Sequence, residues 1–279
     1  MSPKSKGITP LSKVNLTNDF LFGQVFSSAE VVKEFLECLF QHSIPELTYV
    51  KDQETHIDSY KGKSSRFDII AHDAEGNIFD IEVQGRALEG LPQRVRIYHS
   101  HIDRGILFRG QSYEDTPDSC VIFICNYDPF GYGDMVYLTG TNFRIWRHEE
   151  VPDGRLAYYL NITHTNSEQA AAMPEIAALL KYMSNSNGID NTCRLTKLVS
   201  ERTIAVKNDN SKEEAYMLWS LKEKLDRADH IKEGRREYAS ALKTLGEILK
   251  KEGKTDEFVE AASNSEYAEE LFQKYHIAY

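Results

Sequence analysis

The sequence of 279 residues has few cysteines and no long apolar run, and each shortage excludes a class of protein. The four cysteines are scattered and no two have Cys-x-x-Cys spacing, which indicates neither a disulfide scaffold nor a zinc site. No run of about 18 apolar residues occurs, so no membrane-spanning helix is predicted. The N-terminus lacks the apolar stretch of a secretory signal. We therefore expect a cytoplasmic protein with free thiols.

Positive charge is also in short supply. The chain has 33 lysines and arginines against 43 acidic residues, a net charge of −10. Such a balance argues against a protein that coats nucleic acid indiscriminately. A local basic strip nevertheless lies between residues 86 and 109, where five arginines stand against only Glu89 and Asp103. Surface arginines are common, so this strip indicates a functional surface only if a site lies beside it.

The length suits one large domain, or one domain with an appendage. Helical and strand patterns mix up to about residue 165, and the pattern is helical from Ser167 onwards. We therefore expect an α/β fold with a helical C-terminal region. The predicted divisions are a flexible leader at 1–15, an α/β domain at 16–165 and the helical region at 166–279.

Two short runs rich in β-branched and aromatic residues predict a β-hairpin. Residues 66–71 and 78–84 flank a segment that contains Gly76 and Asn77, both of which favour a turn. A helix is predicted upstream from Ala29 to His42. Downstream we expect a helix from Leu91 to Leu107 and a strand from Ser119 to Cys125.

This hairpin brings two carboxylates together. If its turn is centred on Glu75, Asp68 lies opposite Glu82, with Cβ atoms roughly 4.5 to 5.5 Å apart. Because side chains alternate along a strand, Asp80, Glu82 and Gln84 share one face, which we expect to be a polar cleft. Two close carboxylates must share a proton or a cation, and a hard divalent ion suits oxygen ligands. The alternative, favoured by the spacing alone, is a solvent-facing strand edge.

The motifs around these residues resemble a known family. The pattern Asp-x13-Glu-x-Gln on a hairpin resembles the active-site signature of the PD-(D/E)XK phosphodiesterase superfamily, in the variant where glutamine replaces lysine. The surrounding motifs occur in the order found in the recombination-promoting nuclease and putative transposase family of bacteria. They are Asn-Asp-Phe-Leu-Phe at 18–22, Lys-Gly-Lys-Ser-Ser-Arg-Phe-Asp at 61–68, Gly-Asn-Ile-Phe-Asp-Ile-Glu-Val-Gln at 76–84, and Arg94-x3-Tyr98. The likeness covers about residues 15 to 150.

The resemblance implies a restriction-endonuclease-like core, with a mixed central sheet flanked by helices. It implies a metal-dependent DNA endonuclease of recombination or transposon-like systems that hydrolyses phosphodiester bonds. Asp68 and Glu82 would be ligands of Mg²⁺ or Mn²⁺, and the backbone carbonyl of Val83 can supply another ligand. Gln84 would stand at the lysine position, where it orients the attacking water or contacts the scissile phosphate.

Glutamine carries no positive charge, so the charge of the transition state must be met by the metal or by basic side chains. The residues expected to contact the DNA are Lys61, Lys63, Arg94 and Tyr98. Arg94 and Tyr98 are four residues apart on the predicted helix and share one face. Asp19 in the first helix either joins the site or is a first-turn acid favoured by the helix dipole.

Two alternatives remain open. Because the lysine is absent and the net charge is negative, the fold can instead be a catalytically inactive DNA-binding or protein-interaction module. The helical region can also be the functional part, as a protein-interaction element. Its apolar residues between Leu218 and Leu249 recur at spacings of three and four, which forms a stripe on a charged helix. That stripe either packs in a bundle or forms the seam of a homodimer.

Overall fold

The structure is a computed structural model that describes residues 8–56, 65–87, 89–104, 112–144 and 149–277. The chain divides into two compact units, Met1–Tyr216 and Met217–Tyr279. The first unit is α/β and the second is helical. The boundaries predicted at 15/16 and 165/166 stay predictions. In the structure, the helices between Ser167 and Lys207 lie in the first unit, where they pack against the N-terminal helices.

Among the described residues, six strands form one mixed sheet at the centre of the first unit. They are β1 (Leu47–His56), β2 (Ser65–Asp73), β3 (Ile78–Gln84), β4 (Ser119–Cys125), β5 (Val136–Thr139) and β6 (Arg155–Asn161). Their order is β1-β2-β3-β4-β6-β5. Strands β3, β4 and β6 are parallel, whereas the remaining pairs are antiparallel. The mixed central sheet expected from the sequence is confirmed.

Helices cover both faces of this sheet. The described helices of both units, in chain order, are α1 (Asp19–Phe26), α2 (Ala29–Phe40), α3 (Leu91–Arg104), α4 (Ser167–Ala172), α5 (Pro174–Ser184), α6 (Arg194–Lys207), α7 (Asn210–Lys251), α8 (Thr255–Ser263) and α9 (Ser265–Lys274). One face packs against α3, through a core that includes Ile78, Val95 and Phe123. On the other face, the ring of Phe40 on α2 packs near the ring of Phe79 on β3, with 5.9 Å between the ring centroids.

The strand predicted at Ser119–Cys125 has those bounds, and every residue in it is buried. A continuous apolar run suits a strand covered on both faces between parallel neighbours. Helix α2 ends at Phe40, two residues before the predicted end, because Gln41 adopts a left-handed conformation with φ of 58°. The helix predicted at Leu91–Leu107 is α3, which ends at Arg104 in the described part of the chain.

The polar face of β3, which was expected to form a polar cleft, is covered at Asp80 and Glu82. Asp80 and Glu82 are 0% and 1% exposed. The cause is α3, which follows β3 in the chain and packs over this face beside Ile78. Helices cover both faces of the sheet at this central strand, so an alternation of polar and apolar residues was a poor guide to exposure here.

The second unit has a core of its own. The C-terminal part of α7 packs with α8 and α9 through Ala241, Leu245, Leu249, Ala261, Ala268, Leu271 and Phe272. Gly246 permits this approach, since a Cβ atom there would lie only 3.0 Å from the ring of Phe258. Bundle packing is thus confirmed for the C-terminal part of the predicted stripe. None of the described helices is both long and apolar enough to cross a membrane.

Candidate active site

The pairing of β2 with β3 has the predicted register and ends beside the two carboxylates. Its ladder runs from His72 opposite Ile78 to Ile69 opposite Ile81. Beyond Ile69 and Ile81, hydrogen bonds from backbone amides to side-chain carboxylates connect the two strands. The amide of Asp68 donates to Glu82 Oε1 at 2.9 Å, and the amide of Val83 donates to Asp68 Oδ2 at 3.1 Å. Each carboxylate therefore accepts from the backbone of the other strand.

The second carboxylate oxygen of Glu82 faces α3. Its Oε2 forms an ion pair with Arg94 Nη2 at 3.1 Å and accepts from the hydroxyl of Tyr98 at 3.2 Å. Burial, together with the charge of Asp68, raises the pKa of Glu82 to about 8, although Arg94 opposes this shift. Glu82 is thus a buried acid whose ionised form needs a neighbouring positive charge.

Arg94 joins the other residues of the cluster. Its Nη1 donates to Gln84 Oε1 at 3.0 Å, and its Nε donates to the hydroxyl of Tyr98 at 2.9 Å. The guanidinium also lies 5.3 Å from the ring centroid of Phe123 on β4. Its flat shape and five donors suit this combination of stacking and hydrogen bonding. The side chain remains 34% exposed, so it can still meet a ligand.

Asp80 is the residue of the site that the sequence did not single out. Both of its carboxylate oxygens are buried without a hydrogen-bond partner among the described residues. Burial, then the charges of Glu82 and Asp68, raise its pKa well above the ordinary value. The sequence feature that could have identified Asp80 is its position two residues before Glu82, on the same face of the strand.

The donor set fits a divalent cation of the hard, oxygen-binding kind. No group of three or more His, Cys, Asp or Glu side chains that could hold a metal occurs in the described ranges. Mg²⁺, however, usually binds through one or two carboxylates and retains water. Asp68 and Glu82 form such a pair, and the orphaned carboxyl of Asp80 adds negative charge beside it. The carbonyl of Val83 opens on the side of β2, as its amide does, since both groups of a strand residue point the same way.

The structure brings five of the predicted side chains into one connected cluster. They are Asp68, Glu82, Gln84, Arg94 and Tyr98. Lys61 and Lys63 lie outside the described residues. Asp19 begins α1, which packs against β1 and β2, and its membership in the site stays a prediction.

Three arginines of the basic strip flank this cluster in the chain. Arg86 follows β3, whereas Arg96 and Arg104 belong to α3, and all three are exposed. Arg94 of the same strip reaches the carboxylates through its ion pair with Glu82.

Comparison with known proteins places these motifs in a family. A family model described as PD-(D/E)XK nuclease family transposase matches residues 16–244. The match includes the β2–β3 hairpin with its carboxylates and the Arg94–Tyr98 pair of α3. No curated protein and no solved structure gives a significant match.

Proposed function

The chain belongs to the PD-(D/E)XK nuclease family transposases, and we propose that it is a metal-dependent DNA endonuclease of the cytoplasm. It hydrolyses phosphodiester bonds in recombination or transposon-like reactions. The observation that carries this proposal is the pair of Asp68 and Glu82, whose carboxylates accept hydrogen bonds across the end of the hairpin. A structural role alone leaves unexplained why three acids crowd at this position, one of them with no hydrogen-bond partner for its carboxylate in the part of the chain that the structure describes.

Asp68 and Glu82, with the backbone carbonyl of Val83, would hold Mg²⁺ or Mn²⁺. Such an ion, when bound, lowers the pKa of a water molecule and offsets negative charge on the phosphate. Gln84 orients the attacking water or contacts the scissile phosphate. Its amide is already positioned by two hydrogen bonds, one from Arg94 and one to the carbonyl of Arg86.

Arg94 supplies the positive charge that glutamine lacks. Its guanidinium lies 3.0 Å from Gln84 Oε1, and so a permanent cation stands next to the position where lysine is usual. Arg94 and Tyr98 are proposed to contact the DNA phosphates, together with Lys61 and Lys63. Positioned cations of this kind stabilise charge that develops on a phosphate during the reaction.

A plasmid cleavage assay tests the proposal. Wild-type protein should cleave supercoiled DNA with Mg²⁺ or Mn²⁺, and EDTA should abolish the reaction. Asp68→Ala and Glu82→Ala should each lose cleavage while circular dichroism shows an intact fold. Glu75→Ala is the matched control, because Glu75 is an exposed acid at the turn of the same hairpin. Cleavage retained by both site variants, or insensitive to EDTA, would contradict the proposal.

A catalytically inactive DNA-binding module is the second candidate function. The observation that favours it is the ion pair of Glu82 with Arg94, which already satisfies one carboxylate in a buried position. Calorimetric titration with Mn²⁺ separates the two candidates. The nuclease should bind Mn²⁺ and lose that binding in Asp68→Ala, whereas the inactive module should bind DNA without binding Mn²⁺ at this pair.

The proposal also includes a homodimer formed through the C-terminal helices. The feature that supports it is the N-terminal part of the apolar stripe on α7.

A further inference from the structure

Helix α7 carries an exposed apolar stripe, here called the leucine stripe, that consists of Leu218, Leu221, Leu225 and Ala228. The three leucines are 71%, 50% and 58% exposed. Their spacing of three and four residues is that of the a and d positions of a coiled coil. Single exposed leucines are normal on a protein surface, but a contiguous apolar row marks an interaction surface.

The two ends of α7 differ in what covers them. Ala241, Leu245 and Leu249 are buried against α8 and α9. The leucine stripe lies earlier on the same helix and remains exposed, as does Ile231 at 53%. The exposure of the leucine stripe is therefore a local property, because the C-terminal part of the same helix is packed.

We propose that a second copy of this chain covers the leucine stripe, with the two α7 helices antiparallel. Leu221 of one helix then faces Leu225 of the partner subunit, and Leu218 faces Ala228 of the partner subunit. The contact is isologous, because a twofold axis near Glu223 repeats each pair. The inference deepens the proposed homodimer, which is the only part of the proposed function on which it rests.

The charges on α7 favour a second copy and select the antiparallel orientation. In this register Lys232 faces Glu214 of the partner subunit, and Lys222 flanks Asp229 of the partner subunit. A parallel pairing in register would instead place Lys232 against its own copy, a like-charge contact at a core position. Complementary charges around the apolar seam are the usual determinants of partner and orientation in coiled coils.

Sedimentation velocity of the full chain, without DNA or metal, tests the proposal. The wild type should be a dimer at tens of micromolar. Leu221→Glu and Leu225→Glu should each weaken the dimer roughly a hundredfold or more, since two copies of a buried leucine are lost. Val259→Glu is the matched control, because Val259 is 63% exposed on α8, outside the stripe. It should leave the dimer unchanged, and circular dichroism should show that all variants are folded.

Charge reversal tests the orientation. Lys232→Glu should weaken the dimer several-fold, and adding Glu214→Lys to the same chain should restore it. A monomeric wild type, or a dimer that persists in both leucine variants, would overturn the proposal, and failure of the double reversal to restore would overturn the antiparallel register. None of these outcomes depends on DNA cleavage, so the dimer and the nuclease fail separately.

Discussion

Arg94 is the residue on which the electrostatics of the candidate site depend most. Its guanidinium pairs with Glu82, donates to Gln84 and stacks near Phe123. Glu82 is 1% exposed, so water hardly solvates the negative charge of its ionised form. A buried charge that loses its partner is far more costly than an exposed one.

We predict that Arg94→Ala lowers the free energy of unfolding by about 3 kcal/mol. The loss stays at the low end of the range for buried pairs, because Arg94 is one-third exposed and Glu82 can take up a proton. Urea unfolding above pH 8, where the carboxyl of Glu82 is ionised in the folded protein, measures it. Arg96→Ala is the control, since Arg96 is exposed on the same helix, and should change stability by no more than about 0.5 kcal/mol. Equal effects of the two substitutions would contradict the central role of Arg94.

Gln84→Lys tests what the residue at the lysine position does. If the position contacts phosphate, we predict that cleavage is preserved or raised, because lysine adds a positive charge where glutamine has none. The same substitution should lower thermal stability, since it removes the oxygen that accepts from Arg94 and sets two cations side by side. Plasmid cleavage and thermal unfolding measure the two effects. Complete loss of cleavage would indicate a specific role for the amide instead.

At the residue scale the sequence predicted which side chains lie together better than it predicted the contacts between them. The two-residue period of a strand predicted that Glu82 and Gln84 share one face of β3. The spacing of four residues on a helix predicted that Arg94 and Tyr98 share one face of α3. Nothing local could show that Arg94 ion-pairs with Glu82, because the position of α3 on the sheet depends on packing along its whole length. The burial of Asp80 follows from the same long-range contact.

At the scale of elements, α3 is held on the sheet by a buried polar contact as well as by its apolar face. His99 Nδ1 lies 2.8 Å from Ser119 Oγ at the start of β4, and both residues are buried. Burial and then the charge of Arg155 lower the pKa of His99 to about 4, against the effect of the Leu156 carbonyl. His99 is therefore neutral in the folded protein across the usual pH range.

This contact predicts a loss of stability in acid. The unfolded chain takes up a proton on His99 near its ordinary pKa of 6.5, whereas the folded protein resists it until about 4. The contribution of His99 to stability is thus complete above pH 6.5 and is lost as the pH falls towards 4, by about 2 kcal/mol at pH 5. Urea unfolding of wild type and His99→Gln at several pH values measures it. An equally steep pH dependence in His99→Gln would contradict the assignment.

Elements defined by local pattern were predicted well, and those defined by distant contacts were not. A turn centred on Glu75 predicted the register of the hairpin, and the structure has it. Strand β1 begins at Leu47, where no clear strand pattern is visible in the sequence, because its pairing with β2 determines its extent. The apolar stripe of α7 looked uniform in sequence, yet α8 and α9 cover only its C-terminal part.

At the scale of the whole molecule, charge limits how the protein can meet DNA. A net charge of −10 repels a polyanion at long range. Attraction must therefore come from a few local cations, and the exposed arginines Arg86, Arg96 and Arg104 lie in the segment that carries the candidate site. Such a protein should bind DNA through few phosphate contacts rather than along an extended basic surface.

We predict a moderate salt dependence of DNA binding that traces to these arginines. For about three to five phosphate contacts, the slope of log affinity against log salt should be roughly −3 to −5. Fluorescence anisotropy with the non-cleaving Asp68→Ala protein measures it. Arg86→Ala and Arg96→Ala should each reduce the slope by about 1. Arg194→Ala is the control, because Arg194 on α6 already pairs with Glu34, and should leave the slope unchanged. A slope that none of the strip variants alters would show that the DNA lies elsewhere on the protein.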